Sequence, residues 1–201
     1  SKKISVNRSL LYVLILCSLA FLVLIQFNFL TILLGMGSMI FAFLYPFMKR
    51  ITYWPQLFLG ITFNWGLIMA WASINNNISP EIITLYLSAI FWTLGYDTIY
   101  GAQDMSDDEI IGLKSTAIKF KNNISLFVTS SYLITIILLF YIFKNYFGNN
   151  TFTFFIIAFT IILAYQIIEL KKNKSENYLR LFKINNYAGL FLFLSIYSIN
   201  L

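Results

Sequence analysis

Glu81–Tyr100, EIITLYLSAIFWTLGYDTIY, runs directly into Gly101–Glu109, GAQDMSDDE. The first block has the length that crosses a hydrocarbon core, about 20 residues, and its only charges are Glu81 and Asp97 at its two ends. Lipid offers no hydrogen-bonding partners, so such a block must satisfy its own backbone, and a helix does this. A transmembrane barrel needs shorter strands of alternating polarity, and those are absent. The second block is acidic. A membrane helix that opens into a row of carboxylates is therefore the unit from which the rest is read.

Outward from it, six more apolar blocks follow the same rule. The spacing predicts spans at roughly 9–27, 30–48, 56–74, 81–100, 124–143, 152–170 and 184–201, with breaks marked by Asn, Pro, Gly or charge. The chain is 201 residues, 59% apolar and 11% charged, with a mean hydropathy of +0.77. A soluble domain carries about 25% charged residues. The fold class expected is therefore all-α, a polytopic transmembrane helical bundle of seven spans in one domain, 1–201.

The net charge of +6 does not indicate nucleic acid as a partner, because the basic residues are scattered between apolar blocks. They sort by side instead. Lys2, Lys3, Arg8, Lys49, Arg50, Lys114, Lys119, Lys121, Lys171, Lys172, Lys174, Arg180 and Lys183 fall on one side, and Lys144 alone on the other. The positive-inside rule places the first set in the cytoplasm. Both long connections, 101–123 and 171–183, lie on that face, so chemistry is expected there. With no histidine and a single cysteine, imidazole ligands, disulfides and cysteine metal sites are excluded. Cys17, inside an apolar run, reads as a small buried hydrophobe.

Five of the eight acidic residues lie in Tyr96–Glu109. On one continuous helix at roughly 100° per residue, Asp97, Tyr100, Asp104 and Asp108 share a stripe about 80° wide, with Asp107 and Glu109 to its sides. Stacked carboxylates repel one another, so a cation is expected against them. Mg²⁺ fits, since it takes hard oxygen ligands and typically one or two carboxylates plus substrate phosphates. The bland alternative is a solvated acidic loop.

After the acids comes Ile111–Phe120, IGLKSTAIKF. Gly112 permits a sharp turn, and Ser115 or Thr116 can cap a short helix whose positive end, with Lys114, would face an anion. Alone it equally suits a plain interfacial helix. Tyr45 and Lys49 are four apart, hence on one helix face at the same membrane level. By themselves they read as a belt tyrosine and a snorkelling lysine, and Tyr53 and Trp54 fit such a belt. Asn64 and Gln166, inside spans, read as interhelical hydrogen-bonding residues.

Together the words YPFMKRITYWPQ (45–56), WTLGYDTIY (92–100), DMSDD (104–108), IGLKSTAI (111–118) and NNYAG (185–189) resemble the UbiA-type intramembrane aromatic prenyltransferases, and within them the bacterial branch acting on 4-hydroxybenzoate. The resemblance implies transfer of a polyprenyl group from polyprenyl diphosphate to the ring carbon ortho to the hydroxyl of 4-hydroxybenzoate, in ubiquinone biosynthesis at a bacterial inner membrane. It implies Mg²⁺ as cofactor, held by Asp97, Asp104 and Asp108 of a second aspartate-rich motif. Tyr100 and Tyr45 join Asp97 as catalytic candidates. Lys49 and Lys114 are implied as diphosphate ligands, and Arg50 as a partner for the acceptor carboxylate.

One element of the family pattern is missing. The family has nine helices and a first motif, Asn-x-x-x-Asp-x-x-x-Asp, on the second; Asn64, Asn75–Asn77 and Asn122–Asn123 are not followed by such a pair. The expectation is that Ser1 coincides with the third helix and that about 85 residues, two spans with a loop and leader, precede it in the family. With one metal-binding half, the 201 residues alone are expected to have little or no transferase activity. The rival readings are a seven-helix transporter or channel using Asp97, and a prenyltransferase for another aromatic acceptor. A retinal-type receptor is excluded because the final span has no lysine.

Overall fold

The computed structural model describes residues 5–172 and 177–200, and they form ten α-helices joined by short turns. Lys2, Lys3 and Lys174, counted above for topology, lie outside the described residues. The helices are α1 (Val6–Leu24), α2 (Phe29–Leu44), α3 (Met48–Ile51), α4 (Pro55–Asn75), α5 (Pro80–Gln103), α6 (Met105–Ile111), α7 (Thr116–Lys119), α8 (Ile124–Phe143), α9 (Thr151–Lys171) and α10 (Tyr178–Tyr197). A 3-10 turn at Tyr45–Phe47 joins α2 to α3, so that Phe29–Ile51 crosses as one unit.

The starts of these helices are written locally. Asn28, Ser79 and Asn150 cap α2, α5 and α9 by accepting the backbone N–H three residues on, which satisfies a donor that the helix itself leaves free. Pro55 and Pro80 stand in the first turns of α4 and α5, where a missing N–H costs nothing.

Among the described residues, six helical units have the length and apolarity to cross a membrane: α1, α2–α3, α4, α5, α8 with its C-terminal turn, and α9. The seventh expected span, 184–201, corresponds to α10, which is 20 residues long but starts earlier, at Tyr178. Arg180, Lys183, Asn185 and Asn186 in its first half make it the least apolar of the long helices. Cys17 departs from expectation: it is exposed on α1, none of whose residues is buried.

α5 is the hub. It packs against α4, α8, α10 and α7. Gly95 lets α8 approach: a Cβ there would stand 2.3 Å from the Tyr132 ring. Tyr132 is fully buried and its hydroxyl donates to Gln166 of α9. Asn64 of α4 donates to the Ala89 carbonyl at 3.3 Å and to the Thr93 hydroxyl at 2.8 Å. Both polar residues thus bridge helices, as their placement within spans predicts.

Candidate functional site

Asp97 sits on the last two turns of α5, partly buried. Lys49, on α3, and Tyr45, on the preceding 3-10 turn, both come within electrostatic reach of it. Three of the residues expected at the site are therefore brought together from two separate spans. Pro46 stands in the first turn of the 3-10 segment that begins at Tyr45, and that segment packs against α2, α3 and α4.

The expected acidic stripe is interrupted. α5 ends at Gln103, and Asp104 adopts φ −96°, ψ 4° between α5 and α6. Asp108 therefore does not stand on a continuation of the α5 face. It lies on α6, buried, and its carboxylate accepts from Lys49 Nζ at 3.2 Å. The projection failed because it assumed one uninterrupted helix. The repulsion it foresaw is relieved by a lysine as well as by the break. Tyr100 is 38% exposed, its ring 4.8 Å from Phe182 of α10.

Gly112 makes the turn foreseen, with φ +78°. Its N–H and that of Leu113 bond back to the Glu109 and Asp108 carbonyls at 3.2 and 2.8 Å, closing α6 in the manner of a Schellman motif. Ser115 caps α7 through Ile118 N–H at 3.2 Å. But α7 is four residues long, too short for an appreciable dipole, so the anion-facing helix end is not present as expected. Lys114 is turned aside as well: its Nζ donates to the Ile51 carbonyl at 3.2 Å and lies 5.5 Å from the Tyr53 ring centroid. Arg50 is exposed beside Lys49. Trp54, expected as a belt residue, packs edge-on against Phe120 and Phe127 under Lys119.

A cavity of about 280 Å³, lined on α5 by Trp92, Thr93 and Tyr96, opens between α4, α5 and α10. Trp92, Tyr96 and Phe182 give it aromatic walls, and Asn64, Thr93 and Asn185 give it uncharged polar ones. Trp92 is fixed by donating to Asn185 Oδ1 at 3.2 Å. No charged residue lines it, which suits an apolar or aromatic group whose charged end stays at the mouth.

Two further residues escaped the sequence reading. Gln56 Oε1 accepts from Thr116 N–H at 3.0 Å, and Thr98 Oγ1 pairs with Thr116 Oγ1 at 2.6 Å. The only signal for Gln56 was a lone amide at the head of an apolar block.

Among the described residues no three of His, Cys, Asp and Glu gather closely enough to cage an ion. The donor chemistry still fits Mg²⁺, which needs one or two carboxylates when phosphate oxygens complete its shell. The side chain of Asp104 makes no capping bond to α6, which leaves its oxygens for such a role.

Residues 1–195 match the model of the UbiA prenyltransferase family. The chain is 40% identical over 187 residues to a Bos taurus protein named 4-hydroxybenzoate polyprenyltransferase, mitochondrial, covering 92% of this chain and 50% of that one. It is 34% identical over 197 residues to the 4-hydroxybenzoate octaprenyltransferase of Vibrio vulnificus (strain CMCP6), covering 98% and 69%. The chain thus spans half the length of the bovine relative. Among solved structures it superposes on a UbiA homologue from Aeropyrum pernix K1 with a TM-score of 0.78 at 18% identity, covering 97% of this chain and 74% of that one. It also superposes on a digeranylgeranylglyceryl phosphate synthase with a TM-score of 0.72 at 21% identity, covering 100% and 73%. These two likenesses carry the fold.

Proposed function

Because the chain belongs to the UbiA prenyltransferase family, we propose that it serves transfer of a polyprenyl group from polyprenyl diphosphate to 4-hydroxybenzoate, at the ring carbon ortho to the hydroxyl. The observation that carries this reading is the Lys49–Asp108 ion pair at 3.2 Å, with Asp97 within electrostatic reach of both Lys49 and Tyr45 at the same end of the bundle. Relatives named for that reaction support the choice of acceptor.

One or two of the Asp97, Asp104 and Asp108 carboxylates at a time would hold Mg²⁺ together with phosphate oxygens, and when bound the ion supplies Lewis-acid and electrostatic help to the departing diphosphate. Lys49 exchanges the Asp108 carboxylate for a phosphate oxygen, and Tyr45 lies beside it. Lys114, whose backbone N–H bonds to the Lys49 carbonyl at 2.8 Å, adds positive charge on the same side of the mouth, and Arg50 meets the acceptor carboxylate. The allylic carbon–oxygen bond breaks with its electron pair leaving on diphosphate. The electron-rich ring carbon forms the new carbon–carbon bond and then loses its proton. Trp92, Tyr96, Tyr100 and Phe182 exclude water from the allylic cation and face it with π-density.

We place the site on the cytoplasmic face of a bacterial inner membrane, the face assigned by the basic residues. Lys49, Arg50, Lys114, Lys119 and Lys121 share one end of the bundle in keeping with that count, because Lys114 reaches the Ile51 carbonyl.

The test is binding first, then transfer. Membranes holding the chain should retain geranyl diphosphate in the presence of Mg²⁺ and lose it on Asp97→Asn. Absence of Mg²⁺-dependent binding would overturn the site. Binding together with prenylation of a different aromatic acceptor in place of 4-hydroxybenzoate would overturn the acceptor alone.

A further inference from the structure

The segment carrying Asp104, Asp108 and Lys114 leaves α5 at Asp104 and is largely exposed, Ile110 and Ile111 being 85% and 71% exposed. It returns to the bundle at Ser115, Thr116 and Ala117, all fully buried. Thr116 is there tied to two helices at once. Its N–H donates to Gln56 Oε1 on α4 at 3.0 Å, and its hydroxyl pairs with Thr98 Oγ1 on α5 at 2.6 Å. The hydroxyl hydrogen of Thr98 is already directed to the Leu94 carbonyl at 2.6 Å. A hydroxyl has one hydrogen, so Thr116 is the donor of the pair.

We infer that Gln56, Thr98 and Thr116 are positioning residues for the acidic site: their buried hydrogen bonds fix where the returning segment docks on α5, and with it the places of Asp104, Asp108 and Lys114 relative to Asp97. This rests on the diphosphate-binding reading above. The leverage is short. Thr98 follows Asp97 directly, so the docking point and the α5 carboxylate move as one. Two residues before Thr116, the Lys114 N–H donates to the Lys49 carbonyl at 2.8 Å. A slip at Thr116 therefore pulls on the strap that keeps Lys49 against Asp108.

The three side chains are occupied with one another or with backbone, and none is charged. They act through the acids and do not touch a ligand. Unpairing them is disfavoured because each polar atom would stay buried without a partner. Gly101 belongs to the same device: a Cβ on it would stand 3.0 Å from Gln56 Nε2, so the amide is seated by the absence of a side chain there.

The test uses the full chain in lipid nanodiscs with geranyl diphosphate and Mg²⁺ as probe. Thr116→Val should weaken binding roughly tenfold and Thr116→Ser should stay within about twofold of the parent, because valine keeps the shape and loses the hydroxyl hydrogen bond, whereas serine keeps that bond. Amide exchange across 105–114 in the ligand-free protein should speed up in Thr116→Val and not in Thr116→Ser. Gly101→Ala should reproduce the Val result with every polar group of the latch still present. Unchanged binding in Thr116→Val and Gly101→Ala overturns the inference while the site stands. Faster exchange with parental affinity also overturns it, since the latch would then be structural only. A parent chain that binds no diphosphate overturns the site itself, and this inference with it.

Discussion

Lys49 Nζ and Asp108 Oδ2 meet at 3.2 Å although 59 positions separate them in sequence. The contact joins the end of one crossing to the connection after another, so the cationic and acidic parts of the mouth hold each other in place. The lysine side chain is 44% exposed and the aspartate 10%. Solvent therefore screens the attraction, and its contribution to stability is small, within about 1 kcal/mol.

That exposure separates stability from binding. Lys49→Met should lower the unfolding midpoint of the detergent-solubilised chain only slightly. The same substitution should weaken Mg²⁺-dependent retention of geranyl diphosphate by at least roughly tenfold, the loss of about one charge-assisted hydrogen bond. Equal binding by parent and variant would remove Lys49 from the site.

The three carboxylates should respond together. Asp97→Asn, Asp104→Ala and Asp108→Ala are each expected to reduce diphosphate retention without abolishing membrane insertion. If only Asp97→Asn had an effect, and Asp104→Ala and Asp108→Ala left function intact, a transporter using one intramembrane carboxylate would be the better account.

Gly95→Ala tests the hub. The added Cβ would lie 2.3 Å from Tyr132 Cε1 and 2.7 Å from its Cδ1, and Tyr132 is fully buried, so α5 and α8 must separate. A destabilisation of about 1–3 kcal/mol is expected, the usual range for overpacking. Thermal unfolding of the variant in detergent measures it. In a Tyr132→Ala background, Gly95→Ala should add almost no further cost, because the ring it would strike is gone.

Gly112→Ala isolates a backbone effect. Nothing lies within 4 Å of the new Cβ, and the cost comes from φ +78° alone. It should amount to about 1 kcal/mol, and Gly112→Asn should cost less, since asparagine tolerates the left-handed region better. Amide exchange over 105–114 would report this as local opening ahead of global unfolding.

The spans were legible because lipid makes a simple demand: length, apolarity and polar punctuation fix where helices cross. The acidic cluster stood out in sequence because charge at the end of a crossing needs a reason, whereas Tyr45 and Lys49 drew attention only through the family resemblance. The break at Asp104 was not legible. Nothing in Gly101–Met105 forbids a helix strongly enough to show in sequence, and the segment beyond the break is tied back to the bundle by Thr116 bonds that bridge 60 and 18 positions. Gln56 and Thr98 were hidden for a related reason, since uncharged residues inside spans gain meaning only from partners 60 and 18 residues away. Lys114 was identified as part of the mouth, but its direction depended on an α3 carbonyl that no sequence pattern announces.

The hydrogen bond from Trp92 to Asn185 reaches across 93 residues, and it has a bearing on biogenesis. A chain threaded into the bilayer from its N-terminus can pair α4 with α5, and α5 with α8, as each emerges. The wall of the cavity between α5 and α10 cannot be completed until α10 has left the ribosome. The cavity is thus closed only once α10 has joined α4 and α5, and a chain halted before residue 185 would carry the acids without that wall beside them.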